Sequence, residues 1–157
     1  LGLWNKFQFY EGSCAVPFMV RMPGGVPASC DTPLSLVSLS TTLMELCNVP
    51  VLAPNDGVSF AELVHNPNSH RKYGPVFAEY SIGDNNAKYM VRDGNWKYTY
   101  WVDDLPELYD LSSDPQELHN LAGLREHADK VKELHRKLFA WHTPPLERGR
   151  SKTTAAS

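Results

Sequence analysis

The side chains that could do chemistry in this sequence are scattered. His65, His70 and Arg71 fall together in a polar stretch from 65 to 74, which reads first as a solvated loop. Ser38, Ser40, Thr41 and Thr42 offer hydroxyls, but no His or Asp stands at a readable distance to activate one. Ser38 as a helix N-cap is a sufficient account of that cluster. Cys14, Cys30 and Cys47 are far apart and form no C-x-x-C pair, which argues against a zinc site or a disulfide framework. The odd count is compatible with a reduced compartment. No paired His or carboxylates show metal-ligand spacing. Asp84 and Asp103-Asp104 read as turn residues. His119, His127, His135 and His142 lie in or near the last helix, with His135 expected to face solvent. Trp96, Tyr98, Tyr100 and Trp101 could form a carbohydrate or base platform, or half of them could be core. No basic stripe accompanies them, so nucleic-acid binding is excluded. Lys6, taken alone, is a surface lysine.

The elements that must position these residues change in texture near residue 70. In the first part, Ala15-Val16-Pro17-Phe18-Met19-Val20 is continuously apolar and is followed by Met22-Pro23-Gly24-Gly25. It reads as a strand buried on both faces, as in a parallel sheet. Leu39, Leu43, Leu46 and Cys47 recur at helical spacing and predict a helix over 38–47, with Cys47 in the core. Asn48 is placed for the left-handed C′ position, and Pro50 blocks continuation. Ser59-x-x-Glu62 predicts a capping box opening a short helix.

In the second part, Val76 to Tyr80, Lys88 to Arg92, Asn95 to Trp101 and Leu108 to Leu111 predict four antiparallel strands. Asp93-Gly94 marks a hairpin between the second and third. Trp96, Tyr98 and Tyr100 share one face of the third strand, and Lys97, Thr99 and Trp101 share the other. Leu124, Ala128, Val131, Leu134 and Leu138 form the apolar stripe of a helix over about 125–142, which should cover one face of the sheet. The run Glu107 to Ala122 reads as a strand, a stop and a strand-to-helix corner. Asp114 is its N-cap, Pro115 its first helical residue and Glu117 the reciprocal partner of a capping box. Thr143-Pro144-Pro145 stops the last helix, and 146–157 reads as a flexible tail.

The sequence has 157 residues, 42% hydrophobic and 21% charged, with a net charge of −3. That is ordinary globular composition with no pull toward nucleic acid or anionic membrane. No apolar run is long enough to span a bilayer. Leu1 to Lys6 lacks an initiator Met and any signal-peptide layout, and reads as a cut inside a larger protein.

Set in order, several segments resemble the sulfatase family of the alkaline-phosphatase superfamily. They are Gly2-Leu3-Trp4-Asn5-Lys6 with Tyr10-Glu11, then Val16-Pro17-Phe18-Met19-Val20-Arg21 with Pro23-Gly24. Leu36-Val37-Ser38-Leu39 with Thr42-Leu43, Asp56-Gly57, Phe77-Ala78-Glu79-Tyr80 and Met90-Val91-Arg92 follow. Glu107 to Ala122 matches the family's closing signature almost letter for letter. The resemblance runs from Gly2 to about Trp141 and covers the last third or so of such an enzyme. It implies an α/β fold that becomes α+β in its C-terminal part. A strand and helix of the main domain (1–70) precede a four-stranded antiparallel sheet packed on a C-terminal helix (71–145).

The resemblance implies that Lys6 presents its ammonium to the substrate's sulfate group, where charge on oxygen grows during S–O cleavage. His70 and Arg71 lie in a segment that can face the substrate channel in the family. The formylglycine motif, C-x-P-x-R or S-x-P-x-R, does not occur. Cys14-Ala15-Val16-Pro17-Phe18 and Cys30-Asp31-Thr32-Pro33-Leu34 place Pro one position late and lack the Arg. Formylglycine and calcium are therefore expected in an N-terminal sulfatase portion, on the same or a companion chain. The 157 residues by themselves are expected not to hydrolyse sulfate esters, and either to oligomerise or to need that portion. Leu1 stands where many relatives have His or Arg. A non-catalytic structural or binding fragment, and part of a phosphate or phosphonate ester hydrolase, are the other readings. The substrate and the compartment are not legible.

Overall fold

The computed structural model describes residues 8–51, 54–80 and 87–142. Lys6, Asp84, the Thr143-Pro144-Pro145 stop and the tail lie outside them. The chain forms two compact units. One joins its first 16 residues to residues 77–157, and the other spans Pro17–Val76. The opening segment thus belongs with the sheet that follows residue 76, whereas the sequence grouped it with 17–70.

The first unit is built on a sheet of four strands in the order β1 (Val76–Tyr80), β2 (Lys88–Asp93), β3 (Trp96–Trp101) and β4 (Glu107–Asp110). β2 pairs antiparallel with β3, and β3 with β4. The hairpin loop is Gly94-Asn95 rather than Asp93-Gly94, because Asp93 pairs with Trp96. Gly94 sits at φ +60° at the first central position while Asn95 stays at negative φ, the arrangement a two-residue II′ turn requires. The one-residue difference sets which side chains face each other. Val91 opposes Tyr98 on one face, and Arg92 opposes Lys97 on the other.

Helix α4 (Ala128–Trp141), entered through a 3-10 turn at Arg125–His127, covers the first of these faces. Leu134 and Leu138 are fully buried against Tyr89, Val91, Tyr98 and Leu108. The aromatic side chains on this face are therefore core. His135 is not a solvent residue. Its Nδ1 lies 3.0 Å from the Tyr98 hydroxyl, and its ring stacks on Phe139 at 4.2 Å. Lys137 ties the helix to the hairpin through Asp93 at 2.5 Å.

The second unit holds α2 (Leu39–Leu46), preceded by a 3-10 turn at Leu36–Ser38, and α3 (Ala61–His65). α2 ends in a Schellman arrangement. Asn48 sits at φ +54°, Val49 N–H donates to Met44 O at 2.8 Å, and Asn48 N–H donates to Glu45 O at 3.0 Å. Its buried residues are Thr41 and Thr42, not the leucine stripe, and Cys47 is exposed. Thr42 Oγ1 donates to Ser38 O and accepts from Phe60 N–H, so the threonines tie α2 to α3. Ser35, not Ser38, caps the 3-10 turn, and Ser38 Oγ accepts from Val58 N–H. Gly57 has no room for a side chain, since a Cβ there would meet Val37 O at 2.5 Å. Ser59 Oγ accepts from Ala61 N–H, but Glu62 turns to Ser69 and Arg71 instead of closing a capping box.

The expected strand at 15–20 pairs with nothing among the described residues. Met19 is 91% exposed, and Val16, Phe18 and Val20 are about half exposed. A parallel strand needs a neighbour to take up its backbone groups, and the sequence of this chain offers no second strand of that kind.

Because Leu134 is wholly enclosed between α4 and the sheet, Leu134→Ala is expected to cost about 2–5 kcal/mol of unfolding free energy. Urea denaturation should show a lower midpoint with an unchanged slope.

Candidate functional site

The sheet face away from α4 carries Lys88, Met90 and Arg92 from β2, Lys97, Thr99 and Trp101 from β3, and Glu107 and Tyr109 from β4. This is an unusual face for a core. Arg92 and Lys97 are directly opposed cations, and Lys88 and Lys97 are only 3% and 1% exposed. Like charges placed opposite each other destabilise a sheet, and a buried ammonium is costly unless paired. The face therefore needs carboxylates from elsewhere.

Two segments far apart in sequence supply them. The opening segment forms one turn of helix, α1 (Glu11–Cys14). Glu11 bridges the opposed cations, with Oε1 2.8 Å from Lys97 Nζ and Oε2 2.9 Å from Arg92 Nη1. Glu117 supplies the second carboxylate. It is 2% exposed, and its Oε1 lies 2.7 Å from Lys97 Nζ. Its Oε2 accepts the N–H of Glu11 at 2.5 Å, so the same side chain holds the lysine and the start of α1.

The rest of the opening segment follows the same pattern. Lys88 Nζ donates to Gln8 Oε1 at 2.8 Å and lies 4.4 Å over the Trp101 ring and 5.0 Å over that of Tyr80. Burial holds the Lys88 ammonium below its ordinary pKa. Tyr10 donates to Glu107 Oε1 at 2.7 Å and packs edge-on against Tyr109. Burial and the Glu107 carboxylate raise the Tyr10 phenol well above its ordinary range and push Tyr109 up to about 12. The Cys14 thiol donates weakly to Gln8 O and is raised by burial, against the pull of Lys97.

The geometry also accounts for the run from Glu107 to Ala122, with one correction. No helix follows Asp114, and residues 111–121 fold into turns. Asp110 Oδ1 accepts from the N–H and hydroxyl of Ser112. Asp114 Oδ2 accepts from His119 N–H at 2.8 Å, across a tight turn instead of at a helix start. Glu117 adopts φ +56° within that turn, and its carboxylate reaches Lys97 instead of returning to cap Asp114. Asn120 Oδ1 then accepts from Leu108 N–H and Ala122 N–H, and Leu121 N–H donates to Leu108 O. The run closes back on its own strand and projects one buried carboxylate beneath the sheet.

The family described as "N-sulphoglucosamine sulphohydrolase, C-terminal" matches residues 1–143. The chain belongs to the sulfatase family, as its C-terminal part. It is 39% identical over 125 residues to a choline-sulfatase of Rhizobium meliloti (strain 1021), covering 77% of this chain and 24% of that protein. It is 34% identical over 146 residues to arylsulfatase K of Xenopus laevis, covering 85% and 27%. Among solved structures, a putative sulfatase from Bacteroides thetaiotaomicron superposes with a TM-score of 0.57 at 29% identity, covering 66% of this chain and 23% of that one. A phosphonate monoester hydrolase of Agrobacterium radiobacter shares the fold, with a TM-score of 0.54 at 21% identity over 66% and 23%. The chain spans about a quarter of the length of these relatives.

The sulfatase resemblance singled out three residues of this chain. Lys6 lies outside the described residues, two positions before Gln8. Arg71 is in the second unit, where its Nη1 is 3.4 Å from Glu62 Oε2 and its guanidinium lies 5.2 Å over the Tyr73 ring. The Ser69 hydroxyl, then Arg71, hold the Glu62 carboxyl below its ordinary pKa. His70 is exposed. Sequence reasoning passed over Lys97, Arg92 and Glu117 as functional residues. The signal for them was a hairpin register that opposes two cations beneath a motif containing Tyr-Glu. Among the described residues no three His, Cys, Asp or Glu side chains cluster as metal ligands. No helix among them is long and apolar enough to cross a membrane.

Lys97→Met leaves Glu11 with Arg92 but strands the buried Glu117 carboxylate, and is expected to cost about 3–5 kcal/mol. Removing the pair together, by Lys97→Met with Glu117→Gln, keeps the Glu11–Arg92 ion pair and should recover much of that loss. Chemical denaturation of the three forms checks both expectations.

Proposed function

We propose that this chain is the C-terminal segment of a sulfuric ester hydrolase and that Lys6 holds the sulfate group of the substrate. The observation that carries the reading is the clamp on the opening segment. Gln8, Tyr10 and Glu11 are each gripped by side chains of the sheet, immediately after Lys6. A segment held in this way from Gln8 onward supports a sulfate-binding role for the lysine two positions before it. An ammonium in a water-poor pocket stabilises the charge that grows on oxygen as the S–O bond breaks. The nucleophile and the calcium site are assigned to the portion of the sulfatase outside this chain, because neither C-x-P-x-R nor S-x-P-x-R occurs in the sequence. A formylglycine there would supply the attacking oxygen. His70 and Arg71 are the weaker candidates. Arg71 must first leave Glu62 to meet a substrate anion.

The names choline-sulfatase and arylsulfatase K among its relatives support assaying alkyl and aryl sulfates first. Phosphate and phosphonate esters form the second reading, because sulfate and phosphate oxyanions ask the same of a lysine. The phosphonate monoester hydrolases that share the fold make it worth testing.

In the full enzyme containing this chain, Lys6→Ala is expected to lower kcat/KM for 4-nitrophenyl sulfate by ~10²–10³-fold, as loss of one charge-stabilising group does elsewhere. Lys6→Arg should retain part of the activity. Unchanged kinetics in Lys6→Ala would remove the lysine from the sulfate site. Faster turnover of 4-nitrophenyl phosphate or a phenylphosphonate ester than of the sulfate would favour the second reading.

A further inference from the structure

We propose that Lys97 and Glu117 are positioning residues for Lys6, acting through Glu11. The inference rests on the sulfatase reading of Lys6 and adds what fixes that lysine in place. Covalent geometry limits the distance from Gln8 to Lys6, since two residues span at most ~7 Å. Gln8 is held by Lys88, and Glu11 by Lys97, Arg92 and the Glu117 carboxylate at its N–H. The segment is therefore anchored at two points on one rigid sheet face, within a few residues of the side chain that must meet the sulfate.

The chemistry of the anchors fits this role better than a purely structural one. A packed apolar face would stabilise the sheet at least as well as a buried ion cluster. What ions add is direction. Lys97 accepts only a geometry that brings both carboxylates to one ammonium, and Glu117 Oε2 fixes the height of α1 by its first N–H. The signature run folds so that Glu117, at φ +56°, reaches this point. A left-handed non-glycine residue is maintained at some cost where its side chain is needed. The closing signature and the Tyr-Glu motif thus meet at one ammonium, although 106 positions separate Glu11 from Glu117.

The test is a double-mutant cycle in the full sulfatase containing this chain, with 4-nitrophenyl sulfate as substrate. Glu117→Gln is expected to lower kcat by ~10–10²-fold, the scale of a displacement near 1 Å. In a Lys6→Ala background the same change should have almost no further effect, because the residue it positions is gone. Lys97→Arg, which keeps the cation, should retain kcat to within a few fold of the wild type. Full multiplicative losses from Glu117→Gln and Lys6→Ala would overturn the proposal. So would a folded Glu117→Gln enzyme with unchanged kcat. If Lys6→Ala alone leaves kcat/KM intact, the sulfate-lysine reading has failed and this proposal falls with it. If Lys6→Ala is crippling while Glu117→Gln is not, only the positioning role fails. Should Glu117→Gln not fold, Glu117→Asp, which keeps the charge but draws the carboxylate back by one methylene from Lys97 and the Glu11 N–H, carries the same cycle with the same expected non-additivity.

Discussion

One buried ammonium sets the arrangement of the first unit. Lys97 lies in the middle of β3 with its side chain on the face away from α4, and almost none of it reaches solvent. A charge there must be matched, or the strand would not bury it. The neighbour across the ladder makes matters worse, because it is Arg92. Two segments of the unit are drawn in to satisfy the pair. The opening segment brings Glu11, and the run after β4 brings Glu117. The two faces of the sheet then have distinct roles. The α4 face is apolar and aromatic and supplies most of the stabilising burial. The other face is charged and specifies where the opening segment sits.

This division gives the closing signature a physical reason. Read as a string, Glu107 to Ala122 suggests a strand leading into a helix. In the fold each polar residue of the run has a separate task. Asp110 and Asp114 tighten successive turns, Asn120 restores hydrogen bonds to the edge of β4, and Glu117 reaches the lysine. Through Glu117 the signature holds the start of α1, far away in the sequence.

The legible parts of the fold were those with strong local periodicity or turn chemistry. The four strands, α4 and the Asn48 end of α2 were all readable in the sequence, because each depends on near neighbours. The resemblance carried over residue types, and so pointed to the Tyr-Glu motif and proposed Lys6, which lies outside the described residues. What was missed depended on partners distant in the chain. Residues 15–20 are a different case, because the sequence offers no parallel partner for them within this chain and they are exposed here. Asp114-Pro115 with Glu117 satisfies the pattern of a capping box, yet Lys97 outcompetes the Asp114 N–H for the carboxylate. Cys47 falls on an apolar stripe that α2 does not bury, since Thr41 and Thr42 make its tertiary hydrogen bonds instead. His135 flanks the polar face of α4 by helical spacing, but the large rings of Tyr98, Tyr100 and Phe139 extend the core around it. The register of the hairpin decided the rest. Placing the turn one residue early hides the Arg92–Lys97 opposition, and with it the reason for the carboxylates.

The central claim is that the ion cluster, and not general packing, holds the opening segment on the sheet. Hydrogen exchange of the backbone amides of Glu11 to Ala15, compared between the wild-type protein and Lys97→Met, tests it most directly. The account predicts that these amides lose more protection in the variant than those of β2 and β3, whose protection falls only with the global stability. Equal protection of Glu11 to Ala15 in both proteins would contradict it, as the segment would then be held without the lysine.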